Sequence, residues 1–156
     1  MQWLMDLISN RFLITGVSSW FVAQLIKTII HAIINKKLVL ERMVGDGGMP
    51  SGHSATVTSL AVISGLTFGF NTFQFAVTAL LAIIVCHDAM GVRLETGKQA
   101  QIINELTKAF EVWTKKDLPE VKLKEFVGHT PIQVIAGITI GIANGCIMHF
   151  WVFPLL

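Results

Sequence analysis

Charged residues are scarce in this chain, and cysteines are scarcer still. Only 14% of its 156 residues are Asp, Glu, Lys or Arg, against about a quarter in a typical soluble domain. The two cysteines, Cys86 and Cys146, both lie inside apolar stretches, which argues against a disulfide framework or a zinc site. The composition therefore favours membrane-spanning helices, with a soluble helical core as the alternative.

Apolar segments recur at lengths that match a bilayer, whose core of about 30 Å is crossed by about 20 helical residues. They predict one all-α integral membrane domain over residues 1–156. The second segment is the weakest, because it is long enough only if its helix begins at Pro50. The first lacks the basic leader and the cleavage site of a signal peptide, so we expect it to be retained. The four predicted spans are residues 12–35, 50–70, 73–92 and 131–153.

The positive charge is concentrated between the predicted spans. Ten of the twelve Lys and Arg residues fall in two connecting segments, residues 36–49 and 93–128. With four spans these segments lie on the same side, and the positive-inside rule makes that side the cytoplasm. We therefore predict a multi-pass protein of the cell membrane with both termini outside.

The second connecting segment contains a predicted amphipathic helix over residues 99–113. Its apolar residues recur at helical spacing, with Lys and Glu on the opposite side. Such a helix lies on the membrane surface or packs against the protein, and both alternatives stay open. The apolar face consists of Ile102, Ile103, Leu106, Phe110 and Trp113.

A polar stripe runs along the first span. Gln24, Lys27, His31 and Asn35 recur at steps of three or four residues and so share one face of a helix. A lysine inside a bilayer is costly and usually faces a polar interior or an ion partner. We expect Lys27 to point inward and to have a functional role, the alternative being a side chain that reaches the lipid headgroups.

The stretch GDGGMPSGH, residues 45–53, leads into the second span. Pro50 fits the first helical position, which would leave Ser51 and Gly52 with unpaired backbone N–H groups at a helix N-terminus. Such a terminus binds anions, and His53 follows directly. The stretch predicts a phosphate site, the alternative being a helix cap with an incidental histidine.

Two further segments carry candidate site residues. The third span ends in Asp88 and Gly91, and Arg93 follows; arginine is the natural bidentate partner of phosphate. His129 precedes Thr130, a predicted N-cap, and Pro131, a predicted first helical residue. The last span then carries a ridge of small residues for close helix packing, at Gly137, Gly141 and Gly145.

Three motifs in order, GGMPSGHSA, DAMGVRLETGKQA and GHTPIQVIAG, resemble the divergent type 2 phosphatidic acid phosphatase family, which is related to acid phosphatases and vanadium-dependent haloperoxidases. The resemblance covers nearly the whole chain. In the parent superfamily, one histidine attacks phosphorus and a second protonates the leaving oxygen, with no metal or other cofactor. The resemblance implies that His53 is the general acid, His129 the nucleophile and Arg93 the phosphate ligand. Looser candidates for phosphate binding are Lys27, Arg42 and Lys98.

The chain departs from that pattern in two ways. Gln133 stands where an acid would orient the nucleophile, and a neutral amide stabilises an imidazolium poorly. Asp88 is a candidate to replace that acid from the preceding span. The chain is also shorter than a six-span enzyme, so a second protomer is a candidate to complete the site.

The resemblance implies a phosphatase that acts on a lipid phosphate or a prenyl pyrophosphate at the cytoplasmic leaflet, through a phosphohistidine. No metal, cofactor or nucleic-acid partner is predicted. The alternative is a non-catalytic membrane protein that binds or moves phospholipid and retains the phosphate pocket, which Gln133 favours. A haloperoxidase ranks third, because nothing in the sequence suggests peroxide chemistry.

The charge distribution gives a test of orientation. In a cysteine-free background, single cysteines at Lys37 and Lys116 should resist a membrane-impermeant thiol reagent added to intact cells, because both positions lie in the basic segments. Labelling of both positions from outside would reverse the orientation and move the site to the other leaflet.

Overall fold

The computed structural model describes residues 1–39, 43, 47–115, 123–125 and 127–155. No strand occurs among these residues, and the predicted all-α class is confirmed. The helices are α1 (Gln2–Ile8), α2 (Arg11–Asn35), α3 (Gly52–Phe68), α4 (Phe73–Met90), α5 (Val92–Thr114) and α6 (Pro131–Ile147), followed by a π-helical turn (Met148–Val152) and a 3-10 turn (Phe153–Leu155).

Three helical runs of the described chain are long and apolar enough to cross a membrane. They are Arg11–Asn35, the run Phe73–Thr114 that includes α4 as its apolar part, and Pro131–Val152. Helix α3 has 17 residues, about 26 Å, and is not among them. Four spans are therefore not confirmed, while the other three predicted spans each coincide with a long apolar helix.

The start of α3 differs from the prediction. Ser51, and not Pro50, is the boundary residue: its hydroxyl accepts from the Ser54 N–H at 3.3 Å, and the helix begins at Gly52. A serine oxygen satisfies one of the unpaired N–H groups of a helix start, which a proline cannot do. The prediction that Pro50 is the first helical residue is wrong.

Helix α3 lies at the centre of the bundle and packs against α2, α4 and α6. Its contact with α6 uses the predicted glycine ridge, which is confirmed. A Cβ atom added at Gly141 would lie 2.6 Å from the Ala55 carbonyl oxygen, and Gly137 and Gly145 approach α3 in the same way. The absence of side chains lets the two backbones meet, which is the usual basis of close packing in lipid.

Buried polar side chains join α2 to its neighbours. The Ser19 hydroxyl donates to the Ala55 carbonyl of α3 at 3.0 Å. The Asn144 amide of α6 donates to the Thr15 carbonyl at 3.2 Å and to the Ser18 hydroxyl at 3.0 Å. Hydrogen bonds between helices supplement van der Waals packing where lipid, rather than water, surrounds a bundle.

Helix α5 begins directly after Gly91, which ends α4 as predicted. The described part of the predicted 93–128 connector is therefore mostly helical. The buried face of α5 consists of Gly97, Ala100 and Asn104. The Asn104 amide donates to the Leu123 carbonyl at 3.0 Å and its oxygen accepts from the Leu123 N–H at 3.1 Å, so α5 supports the segment that leads to α6.

The predicted apolar face of α5 lies on a different side of the helix from this buried face. Its five residues are between 48% and 81% exposed, so they do not pack against the described part of the chain, and the packing alternative is wrong there. A position on the membrane surface stays a prediction.

The glycine ridge gives a stability prediction. Gly141→Val should destabilise the protein by about 1–3 kcal/mol, a typical cost of overpacking, because its Cβ meets backbone rather than a flexible side chain. The matched control is Ala143→Val, an exposed position on the same helix. Thermal unfolding in detergent measures both variants, and equal midpoints would show that α6 does not pack on α3 through this ridge.

Candidate active site

Three helix ends meet at one place in the bundle. The Ser51 N–H, just before α3, donates to the Gln133 carbonyl in the first turn of α6 at 3.0 Å, and the His129 N–H donates to the Ala89 carbonyl near the end of α4 at 2.9 Å. These two bonds fix the start of α3 and the start of α6 relative to the end of α4. They bring His53, in the first turn of α3, close to His129.

The two histidine rings face a common space. Their centroids lie 6.4 Å apart, and their planes are tilted by 55°. His129 is 5% exposed, whereas His53 is exposed. Both rings line a cavity of about 40 Å³, room for about three waters. The other lining residues are Gly47, Val85, Ala89, Arg93, Val127 and Gly128.

Gln133 contacts one of the two ring nitrogens of His129. Its Oε1 atom accepts from the Thr130 N–H at 3.1 Å, which identifies this atom as the amide oxygen. The same oxygen lies 3.2 Å from His129 Nδ1. An amide oxygen only accepts, so in the neutral ring Nδ1 carries the proton and Nε2 keeps its lone pair. Gln133 thus completes the capping box of α6 and sets the tautomer of a buried histidine.

Arg93 and Asp88 form an ion pair at the edge of the cavity. The Arg93 Nε donates to the Asp88 carboxylate at 2.6 Å, with side chains 53% and 38% exposed. This bond leaves the terminal guanidinium nitrogens as additional donors. Asp88 was expected as a possible orienting acid for His129; its carboxylate instead binds Arg93, the residue five positions later.

The expected anion site at Ser51 and Gly52 is contradicted at Ser51 and stays a prediction at Gly52. The Ser51 N–H is not available, since it donates to the Gln133 carbonyl. A Cβ at Gly52 would face the Trp20 ring of α2 at 3.3 Å, and neither residue lines the cavity. The N-termini of α3 and α6 nevertheless lie at the site, and the positive end of each helix dipole favours an anion there.

The other cations that were predicted to bind phosphate do not line this cavity in the described part of the chain. Lys27 is 5% exposed, which confirms that it points inward. A Cβ atom added at Gly48 would lie 3.6 Å from its aliphatic stem, so Lys27 lies near Gly47 of the cavity wall, but it does not line the cavity. Lys98 pairs with Glu95 at 2.7 Å and lines another cavity. Arg42 lies outside the described residues.

Backbone groups complete the site, and most of them could not be predicted from the residue types in the sequence. Gly128 has φ +87°, and its Cβ would lie 2.6 Å from the Arg93 carbonyl carbon. A glycine is therefore required on both grounds. Its place directly before His129 in VGHTP was the available signal. Nothing in the sequence marks the Ala89 carbonyl. Within the described residues no cluster of His, Cys, Asp and Glu could hold a metal ion.

Comparisons with known proteins identify a family and a relative of this chain. A model of a family described as the divergent PAP2 family matches residues 8–144, which include every candidate residue of the site. A relative named "Uncharacterized membrane protein YuiD", from Bacillus subtilis (strain 168), is 40% identical over 94% of this chain and 99% of its own length. No solved structure gives a significant match.

The cavity gives a binding prediction. Phosphate or vanadate should raise the thermal stability of the detergent-solubilised protein by mass action. Arg93→Ala should remove most of that shift, because it deletes the guanidinium that lines the cavity. Lys98→Ala is the matched control and should keep the shift, since Lys98 lines a different cavity. Equal shifts in all three proteins would place the anion elsewhere.

Proposed function

Because the chain belongs to the divergent PAP2 family, we propose that this membrane protein is a phosphatase for a lipid phosphate or prenyl pyrophosphate. The observation that supports the proposal most strongly is the pair of histidine rings, with centroids 6.4 Å apart, on a small cavity that Arg93 also lines. Because both rings line that cavity, a phosphoryl group bound there would lie next to both.

In the first step, His129 is the nucleophile. Its Nε2 lone pair attacks phosphorus, an N–P bond forms, and the P–O bond to the lipid breaks. The departing oxygen takes the proton of a protonated His53, so a lipid phosphate leaves as an alcohol and a prenyl pyrophosphate leaves as a prenyl phosphate. Burial of His129 and the Gln133 contact hold its ring in the attacking tautomer, which removes the need to orient it during the reaction.

In the second step, water releases the phosphate. His53, now neutral, accepts a proton from water, whose oxygen attacks phosphorus as the N–P bond breaks. Inorganic phosphate leaves, His129 regains its lone pair, and His53 is again protonated. The same group thus acts as acid and then as base, and its exposed position gives it access to water.

The charge that develops on the phosphoryl oxygens needs positive partners. Arg93 is the proposed ligand, with its terminal nitrogens as donors and with its Nε held by Asp88. Catalysis of phosphoryl transfer is mostly positioning and electrostatic stabilisation. Asp88 therefore has the role of a positioning residue, because an arginine fixed at one nitrogen has fewer orientations to lose on binding phosphate.

Gln133 favours a second candidate function. A neutral amide sets the tautomer of His129, but it does not stabilise positive charge on the ring as a carboxylate would. A protein with this pocket and little turnover would bind or move phospholipid without hydrolysing it. Incubation of the purified protein with a panel of phosphorylated lipids, with free phosphate as the measurement, separates the two functions.

The proposed location of the reaction is the cytoplasmic leaflet of the cell membrane. The support is the distribution of basic residues, most of which precede α3 or follow α4, where the chain approaches the site. A homo-oligomer is also proposed, because the chain is short for a complete enzyme of this kind.

The two histidines should differ in their substrate dependence. A lipid alkoxide needs a proton to leave, whereas nitrophenolate leaves without one. His53→Ala should lose most turnover of lipid phosphates, by about 10²–10⁴-fold, but should still release nitrophenolate in a single-turnover burst and accumulate phosphohistidine. His129→Ala should lose both activities and form no phosphohistidine.

His149→Ala is the matched control, because His149 lies in the π-helical turn at the other end of α6. The reverse pattern, with phosphohistidine only in His129→Ala, would exchange the two roles. Wild-type rates in both variants would show that the histidine pair is not an active site.

A further inference from the structure

A second and larger cavity adjoins the histidine pair. It has a volume of about 460 Å³, within the range of about 300–1,000 Å³ for ligand sites. His53, Val85 and Arg93 line both cavities, so the two are adjacent. The larger one, which we call the α2–α3–α4 groove, extends from the phosphate site between these helices.

The wall of the groove is apolar away from the site. Among the described lining residues, Thr56 carries the one hydroxyl, and it donates to the Gly52 carbonyl at 2.8 Å, so its proton is already used within α3. The charged or titratable groups of these described residues are His53 and Arg93, which also line the smaller cavity. The remaining lining residues are Phe12, Leu13, Gly16, Val17 and Trp20 from α2, and Val57 and Leu60 from α3.

The groove has the length and the opening that a lipid tail requires. Trp20 and Phe12 are eight residues apart on α2, which corresponds to about 12 Å and is close to half of a hydrocarbon core of about 30 Å. Leu13 is 47% exposed and Val17 is 65% exposed. The groove is therefore open along its side, and a chain can enter it without leaving the apolar part of the membrane.

We propose that the α2–α3–α4 groove holds the hydrocarbon tail of a phosphorylated lipid whose phosphate lies at the histidine pair. The proposal rests on the proposed function for the identity of the head group. An amphiphile matches the groove in both parts: its anionic end meets Arg93, and its apolar end meets a wall of mostly apolar side chains.

The groove should orient the lipid substrate more than it increases the affinity for that substrate. A tail that moves from the bilayer into the groove exchanges one apolar environment for another, so little hydrophobic free energy is gained. What the groove supplies is alignment of the phosphate with His129, which lowers the entropic cost of the reaction. A blocked groove should therefore reduce turnover of lipid substrates and leave small phosphate esters largely unaffected.

The test uses groove-filling variants on two helices. Val17→Trp and Leu60→Trp place an indole on the groove from α2 and from α3, and neither residue belongs to the phosphate site. Leu25→Trp is the matched control, a 43% exposed position on α2 outside the groove. For dioleoyl phosphatidic acid in vesicles, kcat/KM should fall by about tenfold or more in the two groove variants, a loss typical of impaired pocket fit. For p-nitrophenyl phosphate it should change by less than about twofold, as it should for both substrates in the control.

A second measurement does not depend on turnover. A phosphatidic acid with a diazirine in its acyl chain should crosslink to residues 12–17 and 56–60, and phosphate in excess should reduce the yield. Such crosslinks without hydrolysis of any substrate would support the groove and overturn the proposed phosphatase. Crosslinks spread evenly over the lipid-facing sides of α2 and α4, or equal loss of lipid turnover in the Leu25→Trp control, would overturn the groove.

Discussion

The contact between the starts of α3 and α6 is the constraint on which the site depends. One hydrogen bond from the Ser51 N–H to the Gln133 carbonyl joins the two helix starts, and Gly137 lets the backbones meet there. His53 lies in the first turn of α3, and His129 lies two residues before the start of α6. Their backbone positions are therefore set by the packing of these helix starts, and the ring centroids lie 6.4 Å apart.

Local patterns predicted much of the fold but misplaced one helix start. Periodic apolar runs located α2, α4 and α6, and the Thr130–Pro131 pair located the start of α6, since these signals depend on residues near in sequence. The start of α3 was placed at Pro50 because proline is common at a first helical position. The competing signal was Ser51, whose side chain caps the helix. Both signals were present, and only the folded chain decides between them.

The candidate site was predictable as a set of residues and not as a geometry. The histidines and Arg93 were identified by their motifs, and the structure brings them to one cavity. The role of Ser51 was not predictable, because its N–H bonds to a carbonyl 82 residues later in the sequence. Asp88 shows the opposite error: a distant partner was considered, while a cation five residues away forms the bond. Motifs show which groups are present, and packing shows which pairs they form.

The glycine ridge of α6 also bears on the order in which the protein matures. Helix α3 is short and carries buried serines, and α6, which covers its backbone, begins only at Pro131. A nascent chain that ends before residue 131 lacks this partner for α3. Such a helix would be a marginal membrane segment until that partner has been made. Biogenesis should then be completed after translation, and a chain truncated before α6 should be a substrate for quality-control proteolysis.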